Sequence, residues 1–228
     1  TFVALSGMNA QTEASERFEV MTKVQNDLSS LVIANMSLYQ QLDRLDDTSY
    51  ASFLETLNSN EERYSAIIEQ DAQAVQEAEA VTALTTIGEL LKQYASTLTE
   101  LVNLNQALGF NANSGMKGEI NVLGEEVIEK VSFLSLVKQE FLPVREAEKN
   151  FMFEPTDENK QIFEDRYNKF YQRVVNFGLE ERFGDVVKAY YAKVQDYGQM
   201  VGNLSSLQDT FDQLREQYNN ATNQAQEL

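Results

Sequence analysis

The chain has 228 residues, 18 basic and 36 acidic side chains, two prolines, and no Cys, His or Trp. A formal charge of −18 argues against nucleic acid as a partner, because phosphate backbones need a basic footprint, and against direct docking on anionic lipid. Without His or Cys there is no imidazole or thiolate for a catalytic triad, a disulfide or a zinc site, and the compartment stays open. The length fits one large domain or two small ones, with ample chain for a buried core, and no apolar run is long enough to span a membrane.

Helical periodicity begins in the N-terminal stretch. Val24, Leu28, Leu31, Leu38, Leu42 and Leu45 keep a 4-3 rhythm, with Asn35 in the slot between Leu31 and Leu38. This spacing predicts a first helix reaching about residue 57. Asn58-Ser59-Asn60 reads as a break, and Asp46-Asp47-Thr48-Ser49 as a weaker one. From about 61 to 108 an apolar stripe runs through Tyr64, Ile67, Ile68, Val75, Val81, Leu84, Ile87, Leu91, Tyr94, Leu98, Leu101 and Leu108. A weak break lies near Thr85-Thr86-Ile87-Gly88, where the glycine equally suits a packing point inside one helix. The run Gly109-Phe110-Asn111-Ala112-Asn113-Ser114-Gly115 is the clearest loop.

A helix is predicted from about 116 to 153 on Ile120, Leu123, Val127, Val131, Leu134, Phe141 and Met152, kinked at Pro143. Glu154-Pro155-Thr156-Asp157 stops it, and Thr156 or Asp157 can cap the next helix, about 158 to 177. Phe177-Gly178-Leu179 breaks the chain again. The last seam is the longest: Phe183, Val187, Tyr190, Val194, Tyr197, Val201, Leu204, Phe211, Leu214, Tyr218, Ala221, Ala225 and Leu228, with Gln208 filling its one gap. No stretch alternates with period two, so the expected class is all-α with no sheet.

No P-loop, dinucleotide fingerprint or nucleophile elbow is present, and no enzymatic activity is expected. Acidic groups such as Glu125, Glu126 and Glu129 read as a solvated face, and neither a metal nor a cofactor is expected. Polar residues on the seams carry more information. Asn35 either sets helix register or touches a ligand. Arg145 and Glu148 fall between Phe141 and Met152 on the buried stripe. A cation there must be paired locally with Glu148 or must meet a ligand anion through its planar fork. Lys149 would add charge to either arrangement, and Arg17 on the first helix could approach the same layer. Tyr167, Tyr171, Tyr190, Tyr191 and Tyr197 read chiefly as core, with Tyr167 a candidate for a hydroxyl aimed at a pocket.

Two local runs go further. Leu108 to Ile120, Leu-Gly-Phe-Asn-Ala-Asn-Ser-Gly-Met-Lys-Gly-Glu-Ile, resembles the Leu-Gly-Leu…Ser-Gly-Leu-Arg-Gly-Glu-Leu turn of bacterial chemoreceptor sensor domains. Val144 to Phe153, followed by Glu154 and Asp157, is similar to the Arg-Arg-x-Glu-Lys-Asp-Phe-Leu-Leu-Arg-x-Asp run of the same receptors. Together they resemble the helical bimodular sensor domain of methyl-accepting chemotaxis proteins. The resemblance implies six helices, two long and four short, forming two stacked four-helix bundles in one domain over 1–228. It places a distal module at about 36–136 and a proximal module at about 12–35 plus 137–205, with membrane-directed helical ends at 1–11 and 206–228. It also implies a periplasmic domain of a homodimeric inner-membrane receptor, here excised from its flanking transmembrane helices. That domain binds a small organic acid and signals by helix displacement.

The expected ligand-binding residues are Arg145, Lys149, Glu148, Asn35, Arg17 and Tyr167. The chain departs from the family at Glu146, Glu154 and Lys117, each standing where the family has arginine, and the first helix carries Ser29, Ser30, Asn35 and Ser37 where organic-acid binders tend to place arginines. Fewer guanidinium groups weaken the argument for a di- or tricarboxylate and leave a monocarboxylate, an amphoteric ligand or an amine open. The alternatives are the same fold as the input of a sensor histidine kinase, reading a periplasmic binding protein, and a ligandless helical rod.

Overall fold

The computed structural model describes residues 2–228, and every described element is helical. Residue 1, at the start of the expected membrane-directed end 1–11, lies outside the described residues. In chain order the helices are α1 (Phe2–Gln41), α2 (Tyr50–Ala74), α3 (Ala78–Leu108), α4 (Gly115–Val131), α5 (Ser135–Phe153), α6 (Asp157–Asn176) and α7 (Glu180–Gln226), with a short 3-10 turn at Leu42–Arg44 after α1. Among the described residues seven α-helices stand where six were expected. Among the described residues no helix is long and apolar enough to cross a membrane.

The differences from the expected breaks have local causes. The first helix ends at Gln41 rather than near residue 57, and the Asp46–Ser49 segment is the break. There the Asp46 carboxylate accepts the N–H groups of Thr48 and Ser49, while Ser49 Oγ accepts the N–H of Asp46, a reciprocal cap that starts α2. Asn58-Ser59-Asn60 then continues inside α2, because Phe53, Leu57 and Tyr64 on either side bury one continuous face. The turn between α2 and α3 falls at residues 75–77, not at Thr85–Gly88. Val75 is extended yet buried, and its N–H still closes α2 on the Asp71 carbonyl. Thr85 and Thr86 instead donate their hydroxyls to the Val81 and Thr82 carbonyls of their own helix, and Gly88 is a packing point beside Ile68.

The additional break, at residues 132–134, separates α4 from α5. Leu134 is extended and half-buried against the core, and Phe133 is exposed with its ring 5.6 Å from that of Phe183. No Gly, Pro or Asn marks this turn. α5 runs through Pro143 as one helix, and the Pro143 carbonyl accepts Arg166 Nη1 at 3.1 Å. Thr156 caps α6, accepting the Asn159 N–H at 3.1 Å.

The Gly109–Gly115 turn is tightly constrained. Gly109 has φ +112° and Gly115 φ +55°, and a Cβ on Gly109 would lie 2.1 Å from the Ser114 carbonyl oxygen.

The chain divides into two compact units. One runs up to Val102 and includes Leu207–Leu228; the other is Asn103–Ser206. In the first, Val24, Leu28 and Leu31 of α1 meet Tyr64 and Ile68 of α2, Leu84, Ile87 and Leu91 of α3, and Tyr218 and Ala225 of α7. In the second, Ile120 and Val127 of α4, Phe141 and Val144 of α5, Phe163 and Phe170 of α6, and Val187, Tyr190 and Val194 of α7 share one core. In both, helical packing buries the 4-3 stripes read from the sequence. α7 shows how the two portions differ along one seam. Its seam is buried at Val187–Tyr197 and again from Phe211, but Gln208 is exposed and Val201, Leu204 and Leu207 are only half-buried.

Candidate ligand-binding site

Arg145 lies at the centre of a connected polar group. It is 4% exposed, on the face of α5 that also buries Phe141, Val144 and Glu148. Its Nη2 donates to Asn121 Oδ1 at 2.7 Å and approaches Glu125 Oε1 at 3.6 Å. Its Nη1 reaches the carbonyls of Ile120 and Asn121 at 3.5 and 3.4 Å and Glu148 Oε1 at 3.3 Å. Only Nε has no partner. Gly124 makes the seat: a Cβ there would fall 1.5 Å from Arg145 Nη1, so the guanidinium lies directly on the α4 backbone.

Glu148 completes the group. The Tyr190 hydroxyl of α7 donates to Glu148 Oε1 at 2.7 Å. Burial pushes the Glu148 carboxyl above its ordinary pKa, and the Arg145 charge and the Tyr190 hydrogen bond oppose that rise. Burial likewise pushes the Tyr190 hydroxyl up, so it stays a donor. One cation and one acid thereby tie α4, α5 and α7 together inside the second unit. Of the two readings left open for Arg145, the local pair with Glu148 is present.

The other candidates lie apart from this group. Lys149 is exposed, and its charge slightly favours ionised Glu148. Tyr167 is buried in a ladder of rings, stacked 4.1 Å from Tyr191 and 6.0 Å from Tyr171. Tyr191 donates to Glu164, which also takes the Gln195 amide. Asn35 belongs to the first unit, where its Nδ2 donates to the Tyr218 hydroxyl at 2.9 Å. The Tyr218 ring lies 5.6 Å from that of Tyr94, and Arg215 sits over Tyr39 at 3.6 Å.

Arg17 also belongs to the first unit, so it does not join Arg145. It lines a cavity of about 560 Å³ with Glu13, Glu16, Val20, Met21 and the turn that ends in Glu77. One guanidinium among three carboxylates suits an amphoteric small molecule better than a polyanion.

Three residues were missed by the sequence reading. Gly124 occupies the α4 seam between Ile120 and Val127, and Asp71 occupies the α2 seam between Ile68 and Val75. The intrusion of a small or charged residue into a 4-3 stripe was the available signal in both. Lys23, which holds Asp71, is exposed and gave none. Among the described residues no group of three or more acidic, His or Cys side chains is arranged to hold a metal.

No known family model matches the sequence, and no curated protein matches it. The chemoreceptor resemblance therefore rests on the residues of its two runs.

Proposed function

We propose that the chain is the extracytoplasmic sensor domain of a transmembrane chemoreceptor, binding a small organic acid between bundle helices and passing helix displacement toward the membrane. The observation that supports this best is the meeting of the two resembling runs. Arg145, from the second, grips the carbonyl of Ile120, the last residue of the first. Polar contacts between neighbouring helices, here α4 and α5, give a ligand two helix arrangements to choose between, which a sensor requires.

On this reading the domain forms two stacked four-helix bundles, one of α1, α2, α3 and the end of α7 and one of α4, α5, α6 and the start of α7, in place of the expected modules at about 36–136 and at about 12–35 with 137–205. It lies in the periplasm, works as a homodimer, and joins the membrane through flanking helices at its ends. The same domain feeding a histidine kinase through a periplasmic binding protein is the alternative output. An amphoteric ligand is the second reading of the chemistry, favoured by the mixed charge around Arg17.

A thermal-shift screen of small acids, amino acids and amines, followed by calorimetry, tests the proposal. A ligand at 100-fold above its Kd adds about 2.7 kcal/mol and raises Tm visibly. Carboxylate hits weakened by Arg17→Ala support a site at that cavity. A screen with no stabilising small molecule overturns the small-molecule reading.

A further inference from the structure

We propose that Asp71, Asp27 and Lys23 form a proton-operated tie between α1 and α2, loose at neutral pH and tightened when Asp71 takes up a proton from solvent. It stands independently of the sensor reading.

The geometry is unusual for an ion pair. The Asp71 side chain is 3% exposed, and Lys23 Nζ donates to its Oδ1 at 3.0 Å. Lys23 is itself 61% exposed and shared with Asp27 Oδ2 at 2.7 Å. Asp71 Oδ2 is buried with no partner at all. One ammonium thus serves two carboxylates, leaving the trio with a net charge of −1 and an orphaned oxygen inside a helical core. A buried anion with an unmet lone pair is costly. Asp71 also lies in the last turn of α2, where the helix dipole opposes negative charge and no basic residue compensates.

A proton on Oδ2 removes each of these costs. The oxygen becomes a donor, the neighbouring Asp27 carboxylate is available as an acceptor, and the trio becomes neutral with Lys23 still charged. Burial and the Asp27 carboxyl both push Asp71 up, to about 6, against the opposing pull of Lys23. The core around Ile68 and Val75 adds Ala80, Leu84 and Leu91 from α3 and Tyr218 and Ala225 from α7. The titratable side chains of that core are Tyr64 of α2 and Tyr218 of α7, and burial holds the Tyr218 hydroxyl well above the ordinary value.

The sign follows. A carboxyl whose folded pKa lies above its unfolded value of about 3.9 stabilises the fold when protonated. This stabilisation is full below about pH 4 and is lost as pH rises through about 6. Falling pH also relieves the repulsion of −18 charges, so the Asp71 share must be read as a difference between variants.

Asp71→Asn mimics the protonated acid: its amide is uncharged and carries a donor at every pH. Its Tm should exceed that of the unsubstituted chain by at least about 2 °C at pH 7.5, with the two converging near pH 4. Carbon-13 NMR of the Asp71 carboxyl should give a midpoint above 5 in the unsubstituted chain, and Asp27→Asn should lower that midpoint. A midpoint below 5, or Tm curves that run parallel from pH 4 to 7.5, overturns the proposal. Should Asp71→Asn fail to fold, the NMR midpoint decides alone.

Discussion

In the second unit, Glu148 receives a hydroxyl from Tyr190 and a guanidinium from Arg145, and its acceptor oxygen lies within 3.3 Å of both. In the first unit, Asp71 has one oxygen on a largely exposed lysine and the other on nothing. Both acids are buried, and burial pushes both carboxyls upward. They differ in their surroundings. Glu148 sits in a group whose cation has four other oxygens, on Asn121, Ile120 and Glu125, to hold it in place. Asp71 shares a largely exposed lysine with a second acid. A buried acid tied on several sides has partners that hold its ionised form, whereas one tied on a single side gains more from taking up a proton.

The largest test of that contrast is Arg145→Ala. It strands Glu148 in the core and empties the seat on Gly124, and breaking a buried pair costs about 3–5 kcal/mol. Removing the Arg145 charge also raises the Glu148 carboxyl further. The deficit should therefore grow as pH rises from 5 to 8, a slope that urea titration at the two pH values measures. A deficit under 1 kcal/mol with no slope would place Arg145 outside the stabilising core.

Tyr190→Phe comes next. It takes a charge-assisted donor from Glu148 and should cost about 1.5–3 kcal/mol. Loss of a bond that lowers the Glu148 pKa again makes the cost larger at pH 8 than at pH 5. Equal costs at the two pH values would mean that Glu148 does not titrate between pH 5 and pH 8.

Gly124→Ala sharpens the same network through sign. With Arg145 present, the new methyl displaces the guanidinium from the Ile120 and Asn121 carbonyls and should destabilise by about 1–3 kcal/mol. In an Arg145→Ala background the space is free, and alanine replaces glycine inside a helix, so the same change should stabilise by about 0.5–1 kcal/mol. Equal effects in both backgrounds would separate Gly124 from Arg145.

How much of this was legible depended on where polarity interrupts an apolar seam. Asn35, Arg145 and Glu148 stood out because they replace expected apolar residues, and all three are buried. Asp71 gives the same signal between Ile68 and Val75, but the neighbouring Ile67 allowed a stripe to be drawn around it. Helix type was legible throughout, since 4-3 spacing survives any local detail. Two boundaries were not. Asn58-Ser59-Asn60 has turn composition but stays helical because Leu57 and Tyr64 anchor both sides. The α4–α5 turn carries no Gly, Pro or Asn, and Leu134 there is extended and packs against the core. Arg17 could not be placed from periodicity, because most of α1 before Val20 is exposed and packing fixes no face there.

The smallest expected effect belongs to the neutral polar pair of the first unit. Tyr218→Phe removes the oxygen that accepts the Asn35 amide at 2.9 Å and should cost about 1 kcal/mol. Unlike the changes around Glu148, its cost should be the same at pH 5 and pH 8, because Asn35 does not titrate and burial holds the Tyr218 hydroxyl protonated far above that range. Adding Asn35→Leu removes the donor as well and should recover most of the loss, since replacing both partners leaves no unmet group. A flat pH response here beside a sloped one for Tyr190→Phe would show that the slope comes from the buried acid, and not from losing a tyrosine hydroxyl in a helical core. A sloped response in Tyr218→Phe would instead bring a titrating neighbour into that layer, with Asp71 the first to examine by Tyr218→Phe/Asp71→Asn.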